Sequence, residues 1–323
     1  MASLSVEQLY LSRIKDLELT LLSSPASGMK RTITNPELHR PGLALAGFFE
    51  RFPKRRIQIF GETEIHYLNV LPPDQLLQIA EKFLGSDIPL VMISKAITPP
   101  LPFLAAAERH GVVVLSSRLT TTNLQDRLGK FLDHQFAPVT NVHGTLVDVY
   151  GVGLLYTGKS GIGKSEVALD LVERGHRLVA DDVVKITRTA PDVIIGTGSE
   201  LLGHHMEIRG VGIIDVEALF GIRAVRLQKR IEVEVHLTIW DEGANYERLG
   251  LEESLTTVLG VQIPILHVPI QPGKNITVIS EVIAMNHMLK VYGQNSAVEF
   301  SRRLTERLSR QSNVAAYLES DTE

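Results

Sequence analysis

The sequence contains no cysteine and only one tryptophan among its 323 residues. Without cysteine the chain cannot form disulfides, thiolate zinc sites or iron–sulfur clusters, and it has no thiol nucleophile. An excess of positive charge is also missing, since 33 lysines and arginines face 37 aspartates and glutamates, a formal net charge of −4 at pH 7. Such a chain has no large positive field for nucleic acid or anionic lipid, so any basic site must be local.

Long apolar runs are absent as well. No uninterrupted apolar segment approaches the roughly 18 residues that span a bilayer, and the first 24 residues lack the basic and apolar regions of a secretory signal. We therefore expect a soluble cytoplasmic protein with no membrane partner. The length and the 44% apolar composition predict a globular chain of about two domains, at roughly 150 residues each.

Strand-like and helix-like segments alternate along the first part of the chain. The strand pattern at residues 56–61 precedes an amphipathic helix, and two later apolar runs enclose an alanine-rich helix at 102–110. This alternation predicts βαβ units and a parallel sheet. A further helix, capped by Thr122 or Asn123, ends near residue 134, where we place the domain boundary.

The remaining part, residues 135–323, again has an α/β pattern but with more strands. It ends in an amphipathic helix whose apolar residues recur at spacings of three and four, with a basic face that we expect to be solvated. The fold prediction is therefore α/β with two domains, an N-terminal parallel-sheet domain of residues 1–134 and a C-terminal domain of residues 135–323.

The clearest chemical signal is a phosphate loop that fits the pattern G-x-x-x-x-G-K-[ST] in full. Its residues are Gly158, Lys159, Ser160, Gly161, Ile162, Gly163, Lys164 and Ser165. The loop follows an apolar strand at 153–156 and precedes a helix at 166–174, as the pattern requires. Backbone N–H groups would hold a triphosphate, Lys164 would reach its β and γ phosphates, and Ser165 would offer its hydroxyl to Mg²⁺. The loop predicts binding of ATP or GTP.

An acid at the carboxyl end of a neighbouring strand would complete this site as a metal ligand or general base. One strand-like segment ends in Asp181 and Asp182, and a later one ends in Asp241. Spacing in the sequence does not choose among the three.

These residues lie within a longer resemblance to the bacterial HPr kinase/phosphorylase family. Its members phosphorylate a regulatory serine on the phosphocarrier protein HPr with ATP and remove that phosphate with inorganic phosphate, giving pyrophosphate. The matching segments cover nearly the whole chain and include residues 61–69, 116–124, 140–148, 158–165, 174–182, 201–215, 246–250 and 268–275. The resemblance implies a kinase domain similar to phosphoenolpyruvate carboxykinase, a homohexamer, and control of carbon metabolism and the sugar phosphotransferase system.

The resemblance also implies a role for each matched residue. Asp182 is similar to the general base that takes the serine proton and returns it in the reverse reaction, and His143 to the catalytic histidine. Arg248 resembles the catalytic arginine, and Glu207 the Mg²⁺ contact beside Ser165. Taken alone, the residues around Glu207 would suggest zinc, but their spacing fits no standard ligand set and Mg²⁺ prefers oxygen.

The sequence departs from the family pattern at three positions. Gln271 and Lys274 replace arginines in a loop that the family needs mainly for dephosphorylation, and Lys159 replaces an acid. A neutral glutamine and a lysine without the planar fork of arginine bind an anion less well. The sequence does not decide whether these substitutions weaken phosphorolysis. Lys159 would either attract ATP or alter phosphate affinity in the reverse reaction.

Two other functions are compatible with a phosphate loop. One is a kinase for a small molecule, or a carboxykinase-like enzyme, on the same scaffold. The other is a regulator that binds ATP and changes partners without transferring phosphate. A base at Asp182 and an arginine at Arg248 argue against the second alternative.

Overall fold

The computed structural model describes residues 3–199, 203–241, 254–271 and 273–320, with side chains as far as residue 308. The chain divides into two units, Met1–Ala137 and Pro138–Glu323. Each combines helices with parallel strand pairs, so the α/β fold predicted from the sequence is confirmed. Within the described residues no helix is both long and apolar enough to cross a membrane.

The first unit contains a mostly parallel sheet. Its strands are β1 (Leu4–Ser5), β2 (Leu19–Ser23), β3 (Thr32–Ile33), β4 (Leu38–His39), β5 (Ile57–Phe60), β6 (Leu90–Ile93) and β7 (Val113–Ser117). Its helices are α1 (Val6–Arg13), α2 (Ala26–Met29), α3 (Gly42–Leu45), α4 (Glu62–Val70), α5 (Pro73–Leu84), α6 (Leu101–Arg109) and α7 (Thr121–Gln135). The five-stranded sheet has the order β2-β7-β6-β5-β4, and only the edge strand β2 is antiparallel to its neighbour.

Helices cover both faces of this sheet. Phe83 of α5 and Phe103 of α6 pack in one core with Phe60, while Leu128 of α7 packs in the other. The prediction that Thr122 or Asn123 caps α7 is wrong. The cap is Thr120, whose side chain accepts a hydrogen bond from the backbone N–H of Asn123, so the helix begins earlier than expected.

The second unit holds the phosphate loop. Its strands are β8 (Val139–His143), β9 (Thr145–Val149), β10 (Val152–Gly158), β11 (Arg177–Ala180), β12 (Val183–Ala190), β13 (Val193–Thr197), β14 (His205–Ile208), β15 (Gly212–Asp215), β16 (Gln228–Arg230), β17 (Val233–Ile239), β18 (Leu255–Val258) and β19 (Val261–Ile270). Its helices are α8 (Lys164–Glu173), α9 (Val216–Phe220), a 3₁₀ turn (Ile222–Ala224), α10 (Ile276–Val291) and α11 (Ser296–Ser320).

A six-stranded sheet with the order β11-β9-β10-β17-β19-β18 forms the centre of this unit. Strands β10, β17 and β19 are parallel, and β11 runs in the same direction because β9 is antiparallel to both β10 and β11. Helices α8 and α10 pack on one face, while a four-stranded sheet, β16-β13-β12-β8, packs through Val184 and Ile186 on the other. The carboxyl ends of four strands therefore meet at one edge, where ligands bind in α/β sheets.

The apolar face predicted for the C-terminal helix is not buried within the described chain. Phe300, Leu304 and Leu308 of α11 are all at least 46% exposed. On its polar side Arg302 forms ion pairs with Glu299 and Glu306, and this charged face is solvated, as predicted.

Candidate active site

The phosphate loop joins β10 to α8 and depends on glycine for its shape. Gly158 has φ +133° and Gly163, the residue before α8, has φ +105°, conformations that L side chains rarely adopt. A methyl group at Gly158 would also lie only 2.5 Å from the carbonyl oxygen of Leu237 on β17. The helix begins at Lys164, two residues before the predicted start, which brings its free N–H groups into the loop.

The ammonium group of Lys164 lies inside the loop. Its Nζ donates hydrogen bonds to the carbonyl oxygens of Gly158, at 3.2 Å, and Lys159, at 3.1 Å. Neutral carbonyls are weaker partners than phosphate oxygens. The ammonium group is thus held inside the loop by weak contacts, and it can give up these hydrogen bonds to bind phosphate oxygens.

Asp181 is the acid that contacts the loop. The hydroxyl of Ser165 donates to its two carboxylate oxygens at 3.1 and 2.9 Å, and Thr145 donates to Oδ1 at 2.6 Å. The carboxyl is buried, and burial raises its pKa against the opposing effect of these hydrogen bonds. Sequence spacing left Asp181, Asp182 and Asp241 open, whereas the contact with Ser165 distinguishes Asp181.

The next residue, Asp182, faces the opposite way and meets His143. The Nδ1 atom of His143 lies 3.2 Å from Asp182 Oδ1. Pairing of β8 with β12 sets this distance, because His143 is opposite Val183 and the N–H of Gly144 donates to the carbonyl oxygen of Asp182 at 3.1 Å. Asp182 also has φ +64°, an uncommon value for a residue with a side chain and one that often marks a functional position.

Both side chains of this pair are open to solvent. The side chain of His143 is 77% exposed and that of Asp182 is 69% exposed. A carboxylate with this exposure can be reached by a group on the surface of a large molecule.

Glu207, predicted as a metal contact, lies on β14 of a two-stranded hairpin with β15. Its neighbours Met206 and Ile208 pack in the core that contains α8, so the carboxylate of Glu207 projects from the other, exposed face. The structure records no direct contact between Glu207 and Ser165 within the described residues.

Sequence reasoning missed Arg209, which follows Glu207 on the same hairpin. A methyl group at Gly161 of the loop would lie 2.7 Å from its guanidinium carbon. Arg209 lies in the turn between β14 and β15, so no strand periodicity in the sequence places it, and only the fold of the hairpin brings it to the loop.

The remaining residues that the sequence analysis singled out lie away from the contacts described above or outside the described chain. Arg248 lies outside the described residues. Gln271 and Lys274 flank a turn after β19, where the N–H of Lys274 donates to the carbonyl oxygen of Gln271 at 3.1 Å. Asp241 follows β17 at the same edge of the sheet.

The side chains around Ser165 fit magnesium. Ser165 supplies a hydroxyl oxygen that Asp181 orients through its hydrogen bonds, and the carboxylate of Glu207 on the exposed face of β14 is a further donor, both being the oxygen ligands that Mg²⁺ prefers. With so few protein ligands, phosphate oxygens and water would complete the coordination, as is usual for this ion at phosphate-transferring sites.

Comparison with known proteins matches both units of the chain. Residues 4–132 match the family model described as HPr Serine kinase N terminus, and residues 134–304 match the HPr Serine kinase C-terminal domain. The HPr kinase/phosphorylase of Chloroherpeton thalassium is 47% identical over 285 residues, which are 88% of this chain and 84% of that protein. The Bacillus subtilis protein of the same name is 45% identical over 285 residues, 88% of this chain and 92% of that protein.

Among solved structures, that of the Hpr(Ser) kinase/phosphatase from Coxiella burnetii matches 47% of this chain and 99% of that chain. Its sequence identity is 32% and its TM-score is 0.44. With two matching domain models and relatives of nearly half identical sequence, the chain belongs to the HPr kinase/phosphorylase family.

Proposed function

We propose that this protein transfers the γ-phosphate of ATP to a serine of HPr and removes it again with inorganic phosphate. The observation that carries the proposal is the exposed pair of His143 and Asp182 directly beside the acid that contacts the phosphate loop. A serine on a protein surface can approach a base with this exposure. A kinase for a small molecule would instead enclose its substrate.

In the forward reaction ATP lies on the phosphate loop. Lys164 neutralises charge on the β and γ phosphates, and the N–H groups at the start of α8 bind phosphate oxygens. Asp182 accepts the proton of the serine hydroxyl as its oxygen attacks the γ-phosphorus, and the bond to ADP breaks. His143 holds the Asp182 carboxylate in position for this transfer.

Magnesium would be held by Ser165 and Glu207, with Asp181 orienting the Ser165 hydroxyl. When bound, the ion would neutralise phosphate charge and favour in-line transfer. Arg248 is proposed to stabilise the same charge, as its place in the family pattern implies.

The reverse reaction uses the same groups. An oxygen of inorganic phosphate attacks the phosphorus of phosphoserine, the bond from phosphorus to the serine oxygen breaks, and Asp182 returns a proton to that oxygen. Serine and pyrophosphate result. Microscopic reversibility requires the base of one direction to be the acid of the other, and an exposed carboxylate can serve as both.

We further propose that the enzyme is a cytoplasmic homohexamer that controls carbon metabolism and the sugar phosphotransferase system through HPr. Apolar side chains left exposed on neighbouring helices support assembly, since large exposed apolar patches usually mark interaction sites. Examples are Val282 of α10 at 53% and Phe300 of α11 at 58% exposure. Light scattering on the purified protein would test the hexamer.

The test of the catalytic proposal is transfer of label from γ-labelled ATP to purified HPr, with Mg²⁺, followed by a chase with inorganic phosphate. Label on an HPr serine that is absent with Lys164→Ala would support the kinase, and release as pyrophosphate would support phosphorolysis. ATP binding without any labelled protein would contradict the proposal and favour a nucleotide-binding regulator. Label on a small molecule alone would favour the other alternative.

A further inference from the structure

The first unit carries a basic loop that the proposed mechanism does not use. Residues 51–56 read RFPKRR and lead directly into strand β5. Within the described chain the preceding residue, Glu50, forms no ion pair. The loop lies at the amino end of β5, whereas ligands of parallel sheets bind at the carboxyl ends of the strands. A small-molecule site at the edge of this sheet therefore does not explain its charge.

Three cations of the basic loop have no carboxylate partner among the described residues. Arg51, Lys54 and Arg55 are exposed, and only Arg56 forms an ion pair, with Glu37. Elsewhere in the unit cations pair with acids: Arg31 with Asp87, Arg40 with Glu64, Lys95 with Glu62 and Arg109 with Glu81. Like charges at this spacing repel one another. The arrangement is therefore unfavourable until an anion neutralises it.

A buried side chain fixes the shape of the basic loop. Gln58 of β5 is fully buried, and its Nε2 donates hydrogen bonds to the carbonyl oxygens of Pro53, at 3.2 Å, and Arg56, at 2.7 Å. Its Oε1 lies 3.0 Å from Nδ1 of His39. A buried amide without such partners would destabilise the fold. Both amide donors of this core residue thus hold the loop in one conformation.

An aromatic cluster anchors the middle of the basic loop. The ring of Phe52 packs against the rings of Phe49 and Phe83, with centroids 5.7 and 5.3 Å apart. The ammonium group of Lys82 lies 4.4 Å from the centre of the Phe49 ring, which adds a cation beside the loop. The neighbouring Phe48 is 49% exposed. This surface therefore combines a fixed basic loop with an exposed aromatic ring.

We propose that the basic loop and Phe48 together bind an acidic segment of a protein partner. The inference goes beyond the proposed function and does not depend on it. The loop arginines bind carboxylates through their planar fork, and an apolar side chain of the segment covers the ring of Phe48. Because Gln58 and the aromatic cluster already hold the loop in one shape, ordering it on binding costs little free energy.

The charge of the whole chain favours a protein segment over nucleic acid or an anionic membrane. With 33 lysines and arginines against 37 acids, the chain has no long-range positive field that attracts a polyanion. Affinity for a phosphate backbone grows with each phosphate that is neutralised, and the free cations of the loop supply few such contacts. A segment with a few carboxylates and one apolar residue matches both parts of the surface.

The test is the fluorescence anisotropy of a fluorescein-labelled, glutamate-rich peptide with one central leucine, titrated with the full chain at low salt. We expect a Kd of about 10–100 µM. The double variant Lys54→Glu with Arg55→Glu should weaken binding by about tenfold or more. The matched control is Lys15→Glu with Lys30→Glu, two exposed lysines of the same unit, and its Kd should stay within about twofold of wild type.

Three results would overturn the proposal. One is the absence of peptide binding, and another is a Kd that the loop variant and the control change equally. The third is tighter binding of an oligothymidine or of phosphatidylserine vesicles than of the peptide, lost in the loop variant, which would assign the surface to a phosphate-bearing partner. Both variants should label HPr at the wild-type rate and keep the wild-type Tm by circular dichroism, so the binding result stands apart from the proposed function and from folding.

Discussion

Asp181 and Asp182 are adjacent in sequence but face in opposite directions. The carboxylate of Asp181 turns inward to the hydroxyl of Ser165 at 2.9 Å, while that of Asp182 turns outward to His143 at 3.2 Å. Strand β11 ends just before the pair and β12 begins just after it. One dipeptide thereby places one carboxylate beside the phosphate loop and the other on the exposed side, where we propose that it serves as the base.

Asp182→Asn removes the proposed base while preserving its size. We expect HPr phosphorylation to fall by about 10³-fold, within the range of general acid–base catalysis, with KM for ATP little changed because Asp182 does not contact the loop. Steady-state kinetics with HPr as the varied substrate would measure this. Asp192→Asn, at an exposed turn in the same unit, is the matched control. Near-normal serine transfer by Asp182→Asn would contradict the assigned role.

Asp181→Asn should separate activity from stability. Burial raises the pKa of Asp181, which means that the folded protein disfavours its charge, so a neutral amide should leave the free energy of unfolding unchanged or higher. The requirement for Mg²⁺ should rise about 10- to 100-fold, as for other residues that orient metal ligands. Magnesium titrations of activity and urea unfolding followed at Trp240 would measure the two effects. A less stable protein with an unchanged magnesium requirement would show a purely structural role.

Glu281 of α10 joins that helix to the end of α8. Arg174 donates to both of its carboxylate oxygens at 2.9 and 2.7 Å, and His176 Nε2 lies 3.1 Å from Oε1. The hydrogen bond from Arg174, followed by that from His176, lowers the pKa of Glu281 from 4.5 to about 2. The carboxylate therefore anchors the helix that follows the 271–274 loop.

We expect Glu281→Gln to lower the free energy of unfolding by about 1–2 kcal/mol at pH 7. This is less than the full free energy that corresponds to the pKa shift, because Arg174 is half exposed and solvent screens its charge. The folded pKa lies below the ordinary one, so this contribution is complete above pH 4.5 and is lost as the pH falls toward 2. Urea unfolding at several pH values, followed at Trp240, should show the difference from wild type shrinking below about pH 4.5. A difference that stayed constant down to pH 3 would contradict this account.

Gln271→Arg should strengthen the reverse reaction. A guanidinium at this position restores the anion-binding charge that glutamine lacks, so we expect kcat/KM for phosphorolysis to rise about fivefold to tenfold with the kinase rate within twofold. Gln262→Arg, at an exposed position earlier on β19, controls for added charge. Pyrophosphate release from phosphorylated HPr is the measurement. An equal gain from both variants would show a general electrostatic effect.

The sequence predicted the local parts of the site well. The loop at 158–165 is contiguous, and its glycines, its lysine and the flanking strand and helix act within one short segment, so the pattern alone located it. The helix boundary was off by two residues because Gly163 already supplies the N-terminal conformation. The sequence gives no clear pattern for the residues before β4, since short strands such as β1 and β3 form through pairing with each other and carry little periodicity.

The amino-acid sequence by itself determined the class of the fold, the phosphate loop and the family, because each depends on residue types at fixed spacing along the chain. Only the tertiary structure decided which acid contacts Ser165, how His143 reaches Asp182, and that Arg209 covers Gly161. Those relationships join residues 16, 39 and 48 positions apart. They depend on strand pairing and on the packing of a hairpin against α8, which no local pattern encodes.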